Sequence, residues 1–116
     1  MDVEELLKQY ILCDGVIRTI HLDVINKVVK VQLAVRRYLS KKKWEACIIE
    51  LELGGVTEVY LLEDFPTGGG YTHITITPLD RGQLYLSFDP FGNTGKPHEK
   101  DNWIIRASSL RVQEIH

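Results

Sequence analysis

The chain is poor in cysteine, has no Lys or Arg over a long middle stretch, and lacks any apolar run long enough to cross a bilayer. Its two cysteines, Cys13 and Cys47, form neither a CxxC pair nor a closely spaced framework. This excludes the disulfide scaffold of a small secreted domain, and both read as small buried thiols beside apolar neighbours. The N-terminal run MDVEELLKQYILCDG opens acidic and is interrupted by Lys8 and Gln9, unlike a signal peptide. No segment approaches the roughly 18–20 apolar residues of a spanning helix, so the expected setting is soluble and cytoplasmic, with no membrane partner. His21, His73, His98 and His116 lie far apart, without an HxxxH or HExxH pattern. Neither a metal site nor a cofactor is read from them.

What is present is the composition of an ordinary globular protein: 116 residues, 44% hydrophobic, 26% charged, net charge −2. That predicts a single domain over 1–116. The slight acidic excess argues against a dedicated nucleic-acid binder.

Periodicity changes once along the chain. Leu6, Leu7, Tyr10 and Ile11 recur at helical spacing behind an Asp2/Glu5 capping pair, and Asp14-Gly15 closes the run, which predicts a helix over 2–13. From residue 16 the period is two. Ile20, Leu22 and Val24 alternate with polar residues, as do Val29, Val31, Leu33 and Val35, then Cys47, Ile49, Leu51 and Leu53. Further runs lie at 57–63, 72–79, 83–88, 103–107 and 110–115. The expected fold is α+β, mostly β: one N-terminal helix, then over 16–115 an antiparallel meander of about eight strands forming a strongly curved sheet or partly closed barrel.

Two turns can be read in register. With Asp80-Arg81-Gly82 as a three-residue loop, Ile76 faces Leu86, Ile74 faces Phe88 and Pro78 faces Leu84, so the apolar side chains share one face. With Gly54-Gly55-Val56 as a loop, Leu51 faces Val59 and Ile49 faces Leu61. Glu52 then lies opposite Glu58, and Glu50 opposite Tyr60.

Charge is segregated. No Lys or Arg occurs between Trp44 and Leu79, where Glu45, Glu50, Glu52, Glu58, Glu63 and Asp64 are found. On a hairpin these acids form a patch suited to a cationic protein partner. Immediately before it, Arg36, Arg37, Tyr38, Lys41, Lys42, Lys43 and Trp44 interleave cations with aromatics, a pattern that fits either a solubilising turn or a nucleic-acid patch.

The stretch LSFDPFGNTGKPHEKDNW (86–103) is dense in chemistry-bearing residues, yet its spacing fails the tests. Counted from Asp89 as a calcium loop, Phe91 falls at position 3 and Lys100 at position 12. No GxSxG elbow accompanies Ser87, and Gly68-Gly69-Gly70 is not followed by GK[ST]. Asp89, His98 and Asp101 could form an enzyme site by residue type alone. The turn chemistry of Asp89-Pro90, Gly92-Asn93 and Asp101-Asn102 points instead to a compact loop presenting Phe91 and Trp103 as binding anchors beside Asp89 and Asp101.

YLSFDPFGN followed by EKDNWIIRA resembles a pattern in small bacterial immunity-type proteins, which neutralise toxins of polymorphic or contact-dependent systems. The matching positions are Ser87, Phe88, Asp89, Pro90 and Phe91, then Asp101 and Asn102, within residues 84–107. The resemblance implies a cognate toxin as partner, covered at its active surface. The expected function is therefore a non-enzymatic protein-binding domain, acting through Glu50, Glu52, Glu58 and Tyr60 and through the 86–103 loop. The alternative is a small-ligand or nucleic-acid module using a barrel mouth or the 36–44 block. Self-association is compatible with either.

Overall fold

The computed structural model describes residues 3–60, 72–89, 96–99 and 101–115. A short helix, α1 (Val3–Gln9), leads directly into β1 (Tyr10–Asp23), followed by β2 (Val28–Ser40), β3 (Lys43–Gly54), β4 (Glu58–Tyr60), β5 (Thr72–His73), β6 (Thr75–Pro78), β7 (Leu84–Asp89), β8 (Asn102–Ala107) and β9 (Ser109–Ile115). The strands form two sheets, ordered β5-β1-β2-β3-β9 and β4-β8-β7-β6, with antiparallel pairing throughout. The mostly β, antiparallel architecture with one N-terminal helix matches the expectation. The single strongly curved sheet or partly closed barrel does not: there are two sheets, neither closed nor strongly curled.

Alternation builds the core. Val29, Val31, Leu33 and Val35 of β2 and Ile49, Leu51 and Leu53 of β3 point the same way and are buried. They form one cluster with Ile76, Leu86, Phe88, Ile105 and Ala107 of the second sheet. Helix α1 adds Val3 and Leu6 to this cluster and packs against β1, β2 and β6.

The helix is shorter than the predicted 2–13. Tyr10 and Ile11 already pair with Arg37 and Arg36 as strand residues. Both periods fit this run, because Tyr10 and Leu12 also alternate inward at strand spacing. Gly15 is no helix cap. It sits at an irregularity of β1, between the Ile11 and Val16 pairings, where a Cβ would lie 2.9 Å from the Leu12 carbonyl oxygen. The proposed cap Asp2 lies outside the described residues.

The β6–β7 hairpin has the predicted register, with Ile76↔Leu86 and Pro78↔Leu84, and Gly82 takes the left-handed conformation (φ 73°). The other predicted hairpin does not exist. β3 lies between β2 and β9, while β4 belongs to the second sheet beside β8. Gly54-Gly55 is instead a corner at which the chain passes from one sheet to the other. The return crossing at Ser108 is held against it by Ser108 N–H donating to the Gly54 carbonyl (3.0 Å) and Thr57 N–H donating to that of Arg106 (2.9 Å). Glu52 therefore meets no Glu58. Its strand neighbours are Lys30 and Arg111, at 3.8 and 3.4 Å, and Glu58 pairs with Arg106 at 3.8 Å. Opposite charges across a ladder replace the like-charge pair of the expected register.

Candidate interaction surface

The β2–β3 hairpin is longer than the strands that flank it. Its pairing runs from Val29↔Leu53 to Ser40↔Lys43, around a turn at Lys41-Lys42. β1 accompanies β2 only as far as Arg37, and β9 accompanies β3 only from Ile48. Residues 38–44 thus project as a two-stranded arm.

On the sheet's outer face, away from the core, the side chains fall into cross-strand rows. Tyr38 lies opposite Trp44; Ile11, Arg36 and Ala46 make the next row; then come Val16, Ala34, Ile48 and Ile115. The second and third rows line a shallow depression edged by Arg18 and Arg36. Tyr38 is 47% exposed and Trp44 49%, so the apolar surface continues onto the arm. The Arg36 guanidinium lies 5.6 Å from the centroid of the Trp44 ring, a cation–π contact that holds both in place. Lys41, Lys42 and Lys43 are exposed and make no ion pair among the described residues.

Arg37 belongs to the opposite face. It donates to both carboxylate oxygens of Glu114 (3.1 and 2.9 Å) and pairs with Glu45, while the Tyr10 hydroxyl donates to Glu114 (2.8 Å). Burial first, then the bond to Glu114, push the Tyr10 phenol up to about 12. Burial likewise raises the half-buried Cys47 thiol. Of the predicted basic block, then, Arg36, Tyr38 and Trp44 share the outer face, the three lysines stand at the tip of the arm, and Arg37 is spent on an internal network.

The predicted acidic set does not assemble. Glu50 and Glu52 occupy the polar half of the same outer face, in the rows Thr19–Gln32–Glu50–Gln113 and His21–Lys30–Glu52–Arg111. Glu58 and Tyr60 stand on β4 opposite Arg106 and Ile104.

In the 86–103 loop, Phe91 and the side chain of Asp89 lie outside the described residues. Asp101 is fully buried. Its Oδ2 accepts the Tyr85 hydroxyl at 2.6 Å and the His98 backbone N–H at 2.9 Å, and its own N–H donates to the His98 carbonyl at 3.0 Å. Desolvation, then this bond, raise the Tyr85 phenol. The carboxylate proposed as a partner contact is a clasp on its own loop. Trp103 is half-buried and packs edge-on against Phe88, 6.5 Å between centroids.

Sequence reasoning missed the apolar outer rows. The signal was present: Ala34, Ala46 and Ile48 occupy the phase that carries Lys30, Gln32, Glu50 and Glu52 elsewhere on the same strands. Among the described residues no three His, Cys, Asp or Glu gather closely enough to hold a metal ion, and no helix is long and apolar enough to cross a membrane. The arrangement is equipped for non-covalent contact through apolar area, aromatic faces and positive charge. Compared with known proteins, the chain has no significant match to a family model, a curated protein or a solved structure.

Proposed function

We propose that this chain is a non-enzymatic protein-binding domain whose working surface is the outer face of β1, β2, β3 and β9 together with the arm. The observation that carries this reading is the continuous run of half-buried and exposed apolar and aromatic side chains from Ile115 and Ile48 to Trp44 and Tyr38, bordered by cations that make no ion pair among the described residues. Contiguous apolar surface rimmed by charge is a common mark of a docking site, and aromatic and Arg side chains are frequent anchors. The resemblance within 84–107 makes a bacterial toxin the partner, neutralised by coverage of its active surface. The acidic residues contribute less than the sequence suggested, because Glu52 and Glu58 already have internal cations.

The test is co-production with the product of the adjacent gene, read as protection of growth from its toxicity and as affinity of the purified pair. Ile48→Glu and Trp44→Ala should each weaken binding by roughly tenfold or more while leaving circular dichroism unchanged. Affinity indifferent to both changes would sink the assignment.

A second reading draws on Tyr38, Trp44, Arg36 and Lys41–Lys43, which together also suit single-stranded nucleic acid, by stacking and backbone contact. It requires salt-dependent retention of RNA that is lost when the three lysines are neutralised.

A further inference from the structure

The outer face of the first sheet is divided in charge as well as in polarity. Its polar half is balanced: Lys30 and Arg111 lie 3.8 and 3.4 Å from Glu52, and Glu50 occupies the adjacent row. The half next to the arm is not. Arg18 and Arg36 edge the depression floored by Val16, Ala34, Ala46 and Ile48, and Lys41, Lys42 and Lys43 stand exposed at the tip beyond Tyr38 and Trp44. None of these cations makes an ion pair among the described residues. No described Asp or Glu side chain shares that half, because Glu45 is turned to the other face, where Arg37 holds it. Positive charge is therefore concentrated around an apolar floor, on a chain whose net charge is −2.

We propose that this half receives an acidic protein surface: an aliphatic or aromatic anchor seated in the depression, with carboxylates around it that meet Arg18, Arg36 and the tip lysines. The inference rests on the protein-binding reading and names the chemistry of the partner. Its sign is opposite to that of the cationic partner suggested by the acidic run between Trp44 and Leu79. Charge and floor together decide among the occupants. A symmetric dimer brings the same patch to both sides of the interface, setting cations against cations. Single-stranded nucleic acid answers the cations but not the floor, since bases stack on aromatic faces and the floor is aliphatic. An acidic protein satisfies both. Its apolar anchor displaces water from the floor, while opposite potentials speed the encounter and fix its orientation. Arg36, already steadied 5.6 Å from the centroid of the Trp44 ring, loses little freedom on pairing. The charge-balanced half contributes little steering, so Glu50 lies outside the footprint.

The experiment follows the association rate of the purified chain with the product of the adjacent gene. The rate should fall about tenfold or more between about 50 and 500 mM salt. Combining Lys41→Glu, Lys42→Glu and Lys43→Glu should slow it about tenfold or more at low salt, with circular dichroism unchanged because all three side chains are exposed. Glu50→Lys should leave the rate unchanged or raise it. A rate indifferent to salt and to the lysine reversals, or one slowed by Glu50→Lys, overturns the acidic partner. Retention of single-stranded RNA at physiological salt, lost with the same reversals, overturns it too and makes nucleic acid the occupant. The two readings fail separately. If the complex forms and is weakened by Ile48→Glu while its rate ignores charge, only this inference falls. If no complex forms, or if it ignores Ile48→Glu, the docking face falls and this inference with it.

Discussion

A carboxylate with no contact to solvent is tolerated only where hydrogen bonds or charges replace its hydration, and Asp101 satisfies that condition with donors of two kinds. The His98 N–H is local, three residues away, and shapes the turn; the Tyr85 hydroxyl comes from β7 and ties the loop to the sheet. Arg106 lies over the Tyr85 ring at 5.0 Å, keeping positive charge near the pair. Removing the hydroxyl leaves the carboxylate buried with one donor fewer. Tyr85→Phe should therefore lower stability by about 1.5–3 kcal/mol, the range for a hydrogen bond to a charged group, measured as a shift in the urea midpoint at constant slope. A loss below roughly 0.5 kcal/mol would mean that the clasp is not closed in solution. The residue that gave the 86–103 stretch its catalytic look is, on this account, a structural one.

At the scale of elements the decisive feature is the corner at Gly54-Gly55. Gly55 has φ +60°, and a Cβ there would lie 1.9 Å from the Ser108 hydroxyl oxygen. Gly55→Ala should be destabilising by about 1–2 kcal/mol from the left-handed backbone alone, plus whatever the contact adds. Pairing it with Ser108→Gly should recover the contact part and leave the backbone part, a separation that a double-mutant cycle in urea measures directly. No recovery at all would show that the two crossings do not touch. This corner also explains how far the fold was legible. Strand existence followed from period two, and the β6–β7 register followed from a three-residue turn whose apolar faces match in only one alignment. The identical argument failed at Gly54-Gly55 because a glycine pair serves a hairpin turn and a sheet-to-sheet corner equally well, and alternation does not say which strand is the neighbour. The true neighbours, Lys30 and Arg111 around Glu52, lie 22 and 59 residues away in sequence. The basic, aromatic arm was legible as composition, whereas its apolar companions were legible only as Ala34, Ala46 and Ile48 out of phase with their polar strand-mates.

Across the whole molecule, one polar network joins the beginning and end of the described chain. Tyr10 opens β1, Arg37 and Glu45 flank the base of the arm, and Glu114 stands near the end of β9. The network holds the root of the arm, so its integrity bears on the proposed docking surface as well as on stability. Its pH dependence follows from Tyr10, whose phenol lies at about 12 in the fold against 10.0 unperturbed. The fold favours the neutral hydroxyl, so the contribution is full below pH 10 and is lost as pH rises from about 10 through 12. Tyr10→Phe should lower stability near neutrality by about 1–2 kcal/mol, through the lost bond to Glu114. The gap between the two proteins should then close over that alkaline window, because the variant has no phenol to ionise at this position. Contributions common to both proteins cancel in the difference. Urea midpoints taken at intervals from neutral pH to pH 12 decide the matter: a gap that stays constant would show that the Tyr10 hydroxyl is not held by Glu114 in solution.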